Sequence, residues 1–168
     1  MHHERYAVSN HRRLAAPMRC YRIGDPSGAY PVYGAEGARR VGGRWHDRGD
    51  AVIYASRHYS TAMLERLVHW GGQLPPNQHF VEITIPAGTS YEVFPAEHHP
   101  EWFRPDGEAA RRYSRGWYDQ GRSAVLVVPS VVARMEENLV INPGHPDAGA
   151  IRVGLERPVW WDQRLFAV

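Results

Sequence analysis

Glycine and proline interrupt this chain from end to end, 16 glycines and 13 prolines spread over 168 residues. Punctuation of that density keeps elements short and loops many, and it argues against a helical bundle. Residues 18–23, MRCYRI, read as a first strand that stops at the turn signal GDPSG. Residues 33–50, rich in Gly and Arg, read as loop, and residues 51–55, AVIYA, as a buried strand. A helix is expected next, capped by Ser60, with Met63, Leu64, Leu67 and Val68 as its buried stripe and Gly71-Gly72 as its end. The alternation of residues 80–85, FVEITI, predicts a half-buried strand, with a further one over 91–94. A second helix is expected over 107–117 with Asp106 as cap. Strands should follow at 124–128 (AVLVV) and 138–141, with two edge strands between 151 and 166. Strands outnumber helices and do not alternate with them, which predicts an α+β domain with a mostly antiparallel or split sheet and a few short helices. Residues 1–17 are set apart as an N-terminal extension, and residues 18–168 as a single domain.

Composition removes several functions. The net charge of +2 is too small to point to direct nucleic-acid binding. No apolar stretch approaches the roughly 18 residues of a membrane span. Residues 1–10 are polar and carry no secretory core, so a cytoplasmic location is expected. Cys20 is the single cysteine, and its place in an apolar strand reads as packing rather than as a nucleophile. Neither G-x-G-x-x-G nor a P-loop is present, and the spacing of the 10 histidines suggests no metal. All 20 basic residues are arginines. Each is a planar fork suited to phosphate or carboxylate, and none is an amine nucleophile.

Four pieces of sequence carry chemistry-bearing residues, and each also has a plain structural reading. Arg22 lies inside the first strand, where an inward guanidinium needs a partner or a ligand, while an outward one is ordinary surface. The segment GGRWH at 42–46 lets the backbone turn tightly or approach a ligand and presents Arg44. Tyr54 follows near the end of a buried strand. Glu65 falls beside the apolar stripe of the first long helix, where a solvated carboxylate is the ordinary occupant. Ser130 follows a strand and a proline, placed to line a cleft or to make a turn, and Asn138 opens the segment NLVINPGHP.

Taken in this order, the pieces resemble the RES-domain family, bacterial toxins with an ADP-ribosyltransferase-like fold that are usually encoded beside a helix-turn-helix antitoxin. The resemblance runs over roughly residues 18–160 through YRI, GGRW, VIYAS, the AMLE helix, VPS and NLVINPGHP. His46 departs from it, standing where many members carry asparagine. The resemblance implies catalytic roles for Glu65, Arg44, Tyr54 and Ser130, and NAD⁺ binding by Arg22, Arg44, Tyr54, Ser130 and Asn138. It implies NAD⁺ as substrate with no metal, and cleavage of the nicotinamide–ribose bond. Water, phosphate or a protein side chain could accept the ADP-ribose, making the chain an NAD⁺ glycohydrolase, a phosphorylase or an ADP-ribosyltransferase. Implied partners are an antitoxin that blocks the NAD⁺ cleft and a protein target. The residues by themselves leave open a ribonuclease toxin or a non-catalytic binding module.

Overall fold

The structure, a computed structural model, describes residues 12–166, so the polar stretch at 1–10 lies outside it. In chain order the elements are β1 (Arg12–Arg13), β2 (Met18–Gly24), α1 (Glu36–Arg40), β3 (Ile53–Ser56), α2 (Tyr59–His69) and β4 (His79–Ile85). They continue with β5 (Ser90–Val93), α3 (Glu108–Asp119), β6 (Val125–Pro129), β7 (Glu137–Ile141), β8 (Arg152–Val153) and β9 (Arg157–Pro158). The strands form one hydrogen-bonded order, β1-β5-β6-β7-β3-β2-β4-β8, with β9 also on β4. Every pairing is antiparallel except β5 with β6. Arg12–Arg13, within the stretch set apart as an extension, pair with β5.

Strand β6 shows why this sheet needs two cores. Its run VLVV is buried on both faces, as a continuous apolar run requires. Val125 and Val127 join Cys20, Ile53, Val81, Ile83, Leu139 and Ile141 in one cluster. The alternate residues Leu126, Val128 and Val140 join Trp45, Phe94, Trp102 and the α3 residues Ala110 and Trp117 in the other. Period-two alternation thus sorts one strand between two cores. Trp117 is fully buried, and its indole N–H donates to Ser123 at 2.8 Å. Truncating a tryptophan so placed costs about 3–5 kcal/mol.

The sheet is weakest in its middle. β2 and β4 share seven paired residues, but β2 and β3 meet through one pair, Tyr21 and Ser56, and then separate. The backbone carbonyl of Tyr54, past that seam, accepts instead from Arg22 Nη1 at 2.9 Å. A side chain thus replaces a missing ladder bond, since a buried carbonyl requires a donor. This opening positions the site described below.

Four local expectations are corrected. The loop expected over 33–50 contains α1, a five-residue helix with no buried side chain, so no apolar periodicity marks it. The stripe expected on α2 is misplaced. Thr61 and Ala62 are its buried residues, while Leu64 and Val68 are 43% and 60% exposed. Ser60 does not cap α2, whose cap position is His58, and the His58 side chain makes no capping hydrogen bond to the helix. The α2 C-terminus does close on glycine. Gly71 and Gly72, with φ of 62° and 80°, donate to the carbonyls of Val68 and Leu67 in a Schellman arrangement. At α3 the cap is Gly107, and Asp106 Oδ1 accepts from Glu108 N–H at 3.0 Å from just outside the helix.

Candidate active site

Where β2 and β3 part, a cavity of about 280 Å³ opens. β2 contributes Tyr21, Arg22 and Ile23; β3 contributes Tyr54, Ala55 and Ser56; β7 contributes Asn138. Ala62, Glu65, Arg66 and His69 come from α2. Those four stand at i, i+3, i+4 and i+7, so one helical face is turned into the cavity. The inward face of α2 is therefore a site face, which is why its apolar residues lie elsewhere.

Glu65 is held by neutral donors. Its Oε1 accepts from Ser130 Oγ and from Asn138 Nδ2, both at 2.7 Å. Ser56 Oγ donates to Asn138 Oδ1 at 2.7 Å, which fixes the amide with its NH₂ toward Glu65. The Ser130 hydroxyl also accepts from Ala133 N–H at 3.0 Å. Both donors meet the same carboxylate oxygen, and Oε2 makes no hydrogen bond among the described residues. No cation pairs with Glu65 among them either.

Arg22 is held the same way with the opposite sign. Its Nε donates to the Val32 carbonyl at 2.6 Å and its Nη1 to that of Tyr54. Two neutral acceptors fix the fork without cancelling its charge. Burial, and next the neighbouring Arg66, push its pKa down to about 10, with Tyr54 and Tyr33 opposing, so it stays protonated at neutral pH.

Tyr54 offers the cavity its ring and carbonyl, because its hydroxyl is occupied. His46 Nε2 lies 2.7 and 2.8 Å from the carbonyls of Ala38 and Val41, so that nitrogen carries a proton. Nδ1 is then the acceptor for the Tyr54 hydroxyl at 2.5 Å, which itself accepts from Trp45 N–H. Burial pushes the Tyr54 phenol pKa upward. Gly43 permits this contact: a Cβ there would come within 2.8 Å of the His46 ring and 3.0 Å of the Tyr54 hydroxyl. His46, read from sequence as a departure beside the site, thus ties α1 to Tyr54.

Of the residues singled out from sequence, Arg22, Tyr54, Glu65 and Asn138 line this cavity, and Ser130 bonds to Glu65 from behind it. Arg44 is not on its wall. Its Nη1 donates to the carbonyls of Trp102 and Arg104 at 2.9 and 2.7 Å. Burial, and next Arg111, hold its pKa below the usual value against the opposing pull of Asp106, Glu65 and Tyr54, so it lies within electrostatic reach of the cavity. Ser56, Arg66 and His69 were missed. For Arg66 and His69 the signal was available, in their spacing from Glu65 and Ala62.

The profile of the RES domain matches residues 19–162, nearly the whole chain. This chain belongs to the RES domain family. Curated relatives agree in length as well as sequence. The Prs ADP-ribosylating toxin of Sphingobium sp. (strain YBL2) is 37% identical over 92% of this chain and 94% of its own. Toxin Res of Pseudomonas putida is 33% identical over 82% of this chain and 95% of its own. Among solved structures, the Mycobacterium tuberculosis MbcT–MbcA toxin–antitoxin complex contains a chain of the same fold, with a TM-score of 0.70 at 16% identity. The match covers 88% of this RES domain chain and 86% of the other. Cys20 is buried in the RES domain core, and burial pushes its thiol up to about 12, which leaves no thiolate for chemistry. Among the described residues no group of three His, Cys, Asp or Glu could hold a metal ion. None of the described helices is long and apolar enough to cross a membrane.

Proposed function

We propose that this chain is the toxin of a toxin–antitoxin pair, and that it binds NAD⁺ at the β2–β3 opening and breaks its nicotinamide–ribose bond. One observation carries the reading: a glutamate and an arginine face one cavity, each held by neutral groups that leave its charge uncancelled. A half-buried charge with no counter-charge is costly unless a ligand completes it. NAD⁺ carries both complements, an anionic pyrophosphate for Arg22 and a ribose that becomes cationic in the transition state for Glu65.

When the glycosidic C–N bond breaks, its electron pair leaves with the pyridinium nitrogen, giving neutral nicotinamide and an oxocarbenium-like ribose. The free Oε2 of Glu65 stabilises that charge, and Ser130 and Asn138 keep the carboxylate in place for it. The ring of Tyr54 walls the pocket. Arg44 contributes by its field rather than by contact. An acceptor lone pair then bonds to the ribose carbon and its proton is lost. The full-length likeness to a relative named as ADP-ribosylating favours a protein side chain as acceptor over water or phosphate. Leu64 and Val68, neighbours on the outer surface of α2, suit coverage by an antitoxin beside the cavity.

Mass spectrometry after mixing the protein, NAD⁺ and a cell lysate tests this reading. The expected products are free nicotinamide and one ADP-ribosylated protein. Free ADP-ribose alone identifies water as acceptor, its phosphate ester identifies phosphate, and intact NAD⁺ refutes the reading.

A further inference from the structure

A second cavity, of about 360 Å³, lies against the first, and nothing in the chemistry above uses it. Its walls are Pro75, Gln78 and His79 on one side and Pro158, Trp160 and Trp161 on the other. The two cavities share a partition. Arg66, on the wall of the first, donates through Nε to Gln78 Oε1, on the wall of the second, at 2.5 Å.

We infer that the second cavity receives the adenosine end of the dinucleotide, with Arg66 at the partition holding the pyrophosphate. The inference rests on the NAD⁺ reading above. Three observations carry it. First, the cavity beside Glu65, about 280 Å³, falls just below the 300–1,000 Å³ typical for pockets that enclose a drug-sized ligand. A dinucleotide of two nucleosides and two phosphates is larger, so one end must lie outside it. Second, Arg66 forms no ion pair among the described residues and spends only its Nε on Gln78, which leaves the Nη groups for an anion. Third, the second cavity presents what a purine needs. Trp160 stands 81% exposed at its edge as a stacking surface. The side chains of His79 and Trp161 also line it.

The test uses adenosine 5′-monophosphate, the adenosine half of the dinucleotide, titrated calorimetrically into the parent and into Trp160→Ala. KM and kcat for NAD⁺ are read by nicotinamide release. Trp160 is exposed, so its replacement should leave the melting temperature unchanged, and Trp160→Phe should retain binding. The parent is expected to bind adenosine monophosphate, and Trp160→Ala to weaken it about tenfold. The same variant should raise the NAD⁺ KM about tenfold with kcat within about twofold. Equal nucleotide affinity in both proteins, no binding to the parent, or a KM that does not move would each overturn the inference. Absence of nicotinamide release with nucleotide binding intact would instead sink the NAD⁺ reading and leave the cavity assignment standing.

Discussion

Glu92 and Glu65 are both bonded to side chains of neighbouring elements, and their partners differ in kind. Glu92 on β5 is 2% exposed and accepts from Arg122 Nε and Nη2, both at 2.9 Å, and from the Tyr113 hydroxyl. Its charge is matched within the protein, and the pair ties β5 to α3 and to the turn before β6. Glu65 has only a hydroxyl and an amide on one oxygen, and its charge is left for something else. Arginines divide in the same way: Arg122 meets a carboxylate, Arg22 meets two carbonyls. A charge cancelled inside the fold belongs to stability. A charge fixed but not cancelled is left available to a ligand.

Substitutions at these positions can break that comparison. The largest effect is expected at Glu65→Gln. Glutamine keeps an acceptor for Ser130 and Asn138 but loses the charge, so kcat should fall about 10²–10³-fold. Calorimetry should find its melting temperature within about 2 °C of the parent. Next, Glu92→Gln should show the opposite pattern. It removes the carboxylate that meets Arg122, whose side chain is 31% exposed and also donates to Gln120. The cost should sit at the low end for a broken buried pair, about 3 kcal/mol, seen as about 6–12 °C in melting temperature. Its nicotinamide release per folded molecule should match the parent. A third, smaller effect is expected at Arg22→Lys, which keeps the charge but cannot reach both carbonyls as a fork. The NAD⁺ KM should rise about tenfold in steady-state kinetics.

The smallest effect concerns neutral groups that burial keeps neutral. The pKa values of Cys20 and Tyr33 are both pushed up to about 12 by burial. A raised folded-state value contributes stability that is complete below the unfolded value, and it is lost as pH climbs toward the folded one. Urea midpoints should therefore fall between about pH 9 and 12. The Cys20→Ala variant should show a shallower decline, and an equal slope would remove Cys20 from that balance.

What could be read from sequence follows the same division. Strands β2, β4, β6 and β7 were legible because burial on a sheet imposes a regular apolar period, and their ends move by a residue or two. Arg22, Tyr54, Glu65 and Asn138 could be singled out because charged or polar groups inside apolar patterns are conspicuous. The reading failed on α2, where Leu64 and Val68 were assigned inward and lie outward. That helix turns Glu65, Arg66 and His69 toward a cavity, so its pattern serves a site in place of a core, and local rules fail where function intrudes. The single-pair seam between β2 and β3 has no local signature, since it depends on how far two strands diverge in space. Arg44, also apparent in sequence, lies off the cavity wall with its Nη1 bonded to the carbonyls of Trp102 and Arg104.

The most direct test is NAD⁺ titrated into the Glu65→Gln variant, which should bind the dinucleotide without consuming it. Ligand binding to the folded state should raise the melting temperature steadily with concentration. Adding Arg22→Lys to the same variant should remove most of that rise. No rise with millimolar NAD⁺, or a rise indifferent to Arg22, would contradict convergence of the two uncancelled charges on one dinucleotide.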